Sequence, residues 1–303
     1  MTATAMWAGL AIVVVVMLAI DLLVFARHHA PSMREATAWS VVWLAVALLF
    51  GVAWWAWQGG EAGSEYFAGY LLERSLSLDN VFVFAVILGY FSVPLATQPT
   101  VLSWGIALAL VLRLILILVG AALLDAFHAT FYAFGALLLF TAYKLATHQD
   151  AEADPGRNPA LRLLRRHVPM TDAYDGERLT VRHAGRRVAT PLLAVFVVVA
   201  STDVIFAVDS IPAIFAVTRD PFIVFAANAF AMLGLRATYF VLVGMMDRFT
   251  YLSHGLALIL AFIGTKMLLI DVWHPPIWLS LAVIAVVLTG AALLSRRSGP
   301  ATV

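Results

Sequence analysis

The amino-acid sequence predicts an all-α, polytopic membrane protein, and three observations carry that prediction. Apolar residues make up 63% of the chain and charged residues only 12%, with a mean hydropathy of +0.93. That composition lies outside the range of soluble domains. The apolar residues also gather into runs of about 20, the length a helix needs to cross the hydrocarbon core. Finally, aromatic residues cluster at run ends, as in AWWAW (53–57) and DVWHPPIW (271–278), where interfacial belts are expected.

Taken in order, the runs give nine spans. The first, 6–25, has no basic stretch before it and is followed by Arg27, His28 and His29 rather than a small-residue cleavage motif. It therefore reads as an uncleaved span. Span 2 is 36–57 and span 3 is 66–90, which holds Glu73, Arg74, Asp79 and Asn80 inside otherwise apolar sequence. Spans 4 (101–124) and 5 (130–146) carry Arg113 and Lys144. Residues 147–190 are polar and basic, and the alternation in RLTVRHAGRRVATP predicts a small hairpin turning at Ala184-Gly185. Spans 6 (191–217), 7 (222–246), 8 (251–270) and 9 (276–294) follow. The chain thus reads as one membrane domain, 1–303, with 147–190 as a basic loop.

Loop charge sets the expected orientation. Thirteen arginines (27, 34, 157, 162, 165, 166, 178, 182, 186, 187, 248, 296 and 297) fall on one side, against Arg219 alone on the other. By the positive-inside rule the N-terminus is outside and the C-terminus cytoplasmic. The lipid bilayer is the expected partner of these arginines. No feature marks a nucleic-acid partner, and none names a protein partner. The chain has no cysteine, which removes disulfides, thiolate metal sites and thiol redox chemistry. No HExxH or GxSxG motif is present, so an enzyme is not expected, and no tightly bound cofactor either.

The charges within the spans are costly unless paired or hydrated, and each is a candidate for function. Their spacing repeats. ERSLSLDNVFVFAV (73–86) aligns with DVIFAVDSIPAIFAV (203–217), matching Glu73 to Asp203 and Asp79 to Asp209. LRLILILVG and LRATYFVLVG match Arg113 to Arg236, and Lys144 follows Arg113 by 31 residues as Lys266 follows Arg236 by 30. Spans 3–5 and 6–8 are thus expected to be two copies of a three-helix unit. An odd number of spans inverts the second copy, a pattern found in many secondary transporters.

Six residues along a helix turn about 600°, so the paired acids diverge by about 120° unless the helix is irregular. Pro212 removes a donor from the Val208 carbonyl, and Ser75, Ser77 and Ser210 are compatible with local irregularity. Carboxylates, amides and free carbonyls suit a hard divalent cation such as Mn²⁺, Ca²⁺ or Mg²⁺. The candidate metal ligands are Glu73, Asp79, Asn80, Asp203, Asp209 and Asn228. Arg113 and Arg236 are expected to compensate charge, with Asp21, Ser210 and Lys266 as accessory residues. Ion-paired helix glue is the competing reading of the same acids.

GYLLERSLSLDNVFVF (69–84) and the stretch from STDVIFAVDSIP to LGLRATYF (201–240) resemble the signature segments of the TerC/Alx family of bacterial membrane proteins. The likeness extends from about Asp21 to Ile270, and Asp203 stands where many relatives carry Glu. The family is named for an association with tellurium-ion resistance, and several members are implicated in manganese efflux. The resemblance implies a divalent-metal exporter, with Mn²⁺ as substrate and Glu73, Asp79, Asp203 and Asp209 as its membrane acids. Other relatives are linked to assembly or metalation of membrane and secreted proteins, which keeps an assembly factor, or tellurium resistance without direct transport, as the alternative.

Overall fold

In hydrocarbon each backbone amide must be satisfied within its own segment, so apolar runs fold as helices. The computed structural model describes residues 2–25, 32–147, 155–183, 186–243, 252–273 and 275–297, and a helix occupies every one of the nine apolar runs. In order these begin with α1 (Ala3–Phe25), α2 (Met33–Gln58), α3 (Gly60–Tyr90), α4 (Gln98–Ala126) and α5 (Ala129–Thr147). Between the halves lie α6 (Pro159–His167) and the strands β1 (Thr180–His183) and β2 (Arg186–Ala189). Then come α7 (Pro191–Phe215), α8 (Pro221–Leu233), α9 (Leu235–Val243), α10 (Leu252–Leu268) and α11 (Ile277–Arg297).

By length and composition, six of these helices can cross a membrane: α1, α2, α4, α5, α7 and α11. The pair α8–α9, bent by 43°, makes a seventh. The expected count of nine is therefore not reached on this test among the described residues. Charge explains one shortfall, because α3 spans 31 residues but carries Glu61, Glu65, Glu73, Arg74 and Asp79. Length explains the other, since α10 has 17 residues.

The helices bury their polar residues and turn apolar ones outward. Ile12, Val15, Leu49, Val111 and Val286 are exposed, whereas Glu73, Arg113, Asp203 and Asn228 are fully buried. At the centre stands α8, with every side chain from Phe222 to Leu233 buried. Around it, α3 packs on α8 and α4 packs on α7, while α5 pairs with α10. Two glycines set the last crossing. A Cβ at Gly135 would lie 3.0 Å from the Gly264 carbonyl oxygen, and one at Gly264 would lie 2.9 Å from that of Gly135. Backbones approach this closely in membranes only where side chains are small.

Two local expectations are corrected. Pro212 does not break α7, which continues to Phe215. The proline sits in the last turn, where one lost donor matters little against the packing of buried Ile211, Ala213, Ile214 and Phe215. The bend falls at Gly234, between α8 and α9. There the Arg74 guanidinium fills the corner, donating from Nη1 to the Ala231 carbonyl at 3.0 Å and from Nη2 to Thr238 Oγ1. Any Cβ on Gly234 would meet Arg74 Nη1 at 3.1 Å.

Among its described residues, the basic segment 147–190 holds a helix and a hairpin rather than plain loop. Asn158 caps α6, its Oδ1 accepting from the Ala160 and Leu161 amides at 2.9 and 3.3 Å. Pro159 takes the first helical position, where its missing N–H is not needed. The expected hairpin forms, with Thr180 opposite Ala189 and Arg182 opposite Arg187, and its turn residues 184–185 lie outside the described residues.

Candidate functional site

Three helices deliver carboxylates or an amide to one buried guanidinium. Arg113, on α4, is fully buried and grips Asp203 of α7 with both edges of its fork. Nε reaches Oδ2 at 3.3 Å and Nη2 reaches Oδ1 at 3.1 Å. Nη1 donates to Glu73 Oε1 on α3, to Asn228 Oδ1 on α8 at 3.0 Å, and to Ser210 Oγ on α7 at 3.4 Å. Ser77, one turn beyond Glu73, adds a hydrogen bond to Oε1 at 3.2 Å. Side chains four apart share a helix face, which is why Glu73 and Ser77 converge.

The cluster is unfinished in two ways. Two carboxylates face one guanidinium, leaving a formal excess of one negative charge. Two buried polar atoms, Glu73 Oε2 and Asn228 Nδ2, have no hydrogen-bond partner among the described residues. Buried polar groups are rarely left so, and such an exception calls for an occupant or a working role.

A second arginine centre lies elsewhere. Arg236, on α9, meets Asp21 of α1 through Nη2, at 2.9 Å to Oδ1 and 2.9 Å to the main-chain carbonyl. Its Nη1 donates to Ser103 Oγ of α4 at 2.6 Å, and that hydroxyl donates onward to Asp21 Oδ2 at 3.1 Å. Both oxygens of Asp21 are thereby engaged.

The remaining candidates sit apart from these centres. Asp209 is half-buried on another face of α7 and accepts from Thr141 Oγ1 of α5 at 2.9 Å. Because α7 is unbroken, Asp203 and Asp209 point to different neighbours, as a six-residue spacing requires. Asn80 is buried on α3. Asp79 lies in α3, but its side chain falls outside the described residues. Lys266 donates to Ser280 Oγ at 3.1 Å and lines a cavity of about 440 Å³ with Glu61, Glu65 and Arg219. Among the described residues no three of Asp, Glu or His come together as a ready cage for an ion.

Sequence reasoning missed Arg74 at the bend, and Ser103 and Thr141 as carboxylate partners. Gly234 was a visible signal for the bend, but lone serines and threonines in apolar helices carry none.

A family described as the integral membrane protein TerC family matches residues 58–300. The chain belongs to the TerC family. Among its relatives is a protein of Escherichia coli strain K12, 50% identical over 289 residues, covering 92% of this chain and 90% of its own length. Another, from Salmonella typhi, is 49% identical over 294 residues, with 94% and 91% covered. The names of both propose a membrane-bound redox modulator, Alx. A Myxococcus xanthus membrane protein, STKORF319, is 46% identical over 299 residues, with 97% and 94% covered. No solved structure matches the chain. Like the rest of the TerC family, this is an integral, multi-pass membrane protein.

Proposed function

We infer that this TerC protein exports a divalent cation, Mn²⁺ foremost, through the carboxylates gathered around Arg113. The observation that carries the reading is the unfinished cluster: two fully buried acids on one arginine, with Glu73 Oε2 and Asn228 Nδ2 unpaired. An ion-paired strut is expected to saturate its partners, since a half-satisfied buried network is worse than none. A site that alternates between an internal cation and a visiting one is expected to look different. Between visits Arg113 holds Glu73 and Asp203 together. On arrival a divalent cation takes the carboxylates and Arg113 withdraws. Asp79 and Asp209, at matching places in the two sequence units, serve the cation on its way in or out.

The packing supports a repeat as well. Exchanging spans 3–5 with 6–8 turns the α3–α8 contact into α7–α4 and the α5–α10 contact into itself, and those contacts are all present. Inverted repeats around a buried polar site are the architecture of alternating access. The arginine-rich loops favour an N-terminus outside and a C-terminus in the cytoplasm, and export is the direction that the family resemblance implies.

The relatives' name favours a second reading, an effect on redox state. With no cysteine, this chain has no thiol through which to act. Control of a redox-active cation would produce such an effect indirectly. The deciding experiment is ⁵⁴Mn²⁺ flux into proteoliposomes containing this protein alone. Saturable flux above protein-free liposomes supports transport, and its absence for Mn²⁺, Ca²⁺, Mg²⁺ and Zn²⁺ alike removes it.

A further inference from the structure

Outside the membrane helices, arginines gather on the hairpin. Arg178, Arg182 and Arg187 line a cavity of about 540 Å³ with Asp175, Thr180 and Val181. Arg182 and Arg187 stand directly opposite each other on β1 and β2. Like charges so placed weaken a two-stranded ribbon that is marginal to begin with. Both are exposed, and among the described residues neither side chain has an ion-pair or hydrogen-bond partner. Arg178 is paired with Asp175 at 3.1 Å, the one carboxylate in the lining. The cavity thus sets three guanidinium groups against a single acid.

Its position is fixed. β2 passes into α7 at Thr190, whose hydroxyl donates to the Arg178 carbonyl at 2.7 Å and whose amide donates to that of Leu179 at 3.0 Å. Thr100, in the first turn of α4, donates to Glu177 Oε1 at 2.8 Å, and Tyr174 donates to the Phe91 carbonyl, just past α3, at 2.7 Å. The arginines are therefore held at the ends of α3, α4 and α7, where apolar helix gives way to polar sequence and phospholipid headgroups are expected. The same segment closes one end of a groove of about 600 Å³ between α4 and α7, walled by Trp104, Leu108, Phe196 and Val197 with Leu179 at its end. Trp104 and Leu108 are exposed on the outward surface.

We propose that this arginine cavity binds the phosphate of an anionic phospholipid, with one acyl chain lying in the α4–α7 groove. Guanidinium forks match phosphate oxygens in geometry and charge. A shared anion turns the Arg182–Arg187 repulsion into a bridge. Inorganic phosphate offers the same headgroup chemistry but nothing to fill the groove, and the headgroup plane favours the lipid.

The test is native mass spectrometry of the full-length protein, titrated with phosphatidylglycerol, phosphatidylcholine or inorganic phosphate. Phosphatidylglycerol should bind in preference to phosphatidylcholine, and inorganic phosphate should not displace it. Arg182→Gln with Arg187→Gln should weaken phosphatidylglycerol about tenfold, the loss of roughly one charge-assisted contact. The same charge change at exposed Arg165 and Arg166 of α6 should leave it within about twofold. Brominated-chain phosphatidylglycerol should quench tryptophan fluorescence, and Trp104→Phe should remove part of that quenching. Equal losses in the two double variants, or none in the hairpin variant, would overturn the site. Displacement by inorganic phosphate would overturn the lipid as its source, and undiminished quenching in Trp104→Phe would overturn the chain's place in the groove.

Discussion

The two buried arginines occupy matching places in the sequence, yet their surroundings differ. Arg236 and Ser103 engage both oxygens of Asp21, tying α9, α4 and α1 together. Arg113 serves two acids, and fully buried Glu73 keeps one oxygen without a partner among the described residues. Saturation marks the first as a structural tie. On the proposed reading, the deficit makes the second a place where charge changes hands. If the two units are copies, as the sequence spacing suggests, matching residues need not share surroundings, and counting unsatisfied atoms separates them when sequence does not.

The comparison breaks most visibly at Arg113. Arg113→Met leaves Glu73 and Asp203 buried together without a counter-charge, and should cost about 3–5 kcal/mol. Thermal unfolding in detergent, read by size-exclusion fluorescence, should show most of the folded protein lost. Restoring part of it by adding Glu73→Gln would show that unpaired charge was the cause.

At the tie, Asp21→Asn should cost about 1–3 kcal/mol, because Arg236 keeps Ser103 and the Asp21 main-chain carbonyl. Unfolding temperature should fall while flux per folded molecule stays within about threefold, under 1 kcal/mol in barrier height. A loss of flux at full stability would move Asp21 into the working site.

A smaller effect is expected where Asp209 meets Thr141. Thr141→Val removes one hydrogen bond from a half-buried carboxylate and should cost about 1 kcal/mol, measured as a shift in unfolding midpoint. Asp209→Asn keeps that bond and should leave abundance normal while abolishing Mn²⁺ flux. Full flux in Asp209→Asn would confine the working acids to the Arg113 centre.

Much of this was legible in the sequence. Runs of apolar residues placed all nine helical segments, because hydrocarbon permits so few backbone solutions. The charges inside the runs pointed to Glu73, Asp203 and Arg113, because burying them unpaired is so costly. What stayed hidden depended on packing. Pro212 looked like a breaker, but near a helix end its lost hydrogen bond is offset by burial of its neighbours. Gly234 marked the real bend only in the company of Arg74, which reaches it from α3. Asn158-Pro159 lies in what read only as a basic loop and is in fact the start of α6. Asp209 looked like a partner of Asp203, and an unbroken α7 turned it toward Thr141 instead.

The central claim is that the Arg113 cluster is a working cation site rather than a strut. The most direct measurement is ⁵⁴Mn²⁺ flux, normalised to folded protein, for Glu73→Gln and Asp21→Asn side by side in proteoliposomes. Glu73→Gln conserves shape and leaves Asp203 to hold Arg113. The expected result is normal abundance with flux abolished for Glu73→Gln, and near-normal flux at lower stability for Asp21→Asn. Normal flux through Glu73→Gln, or loss of its folded protein in step with its flux, would contradict the account.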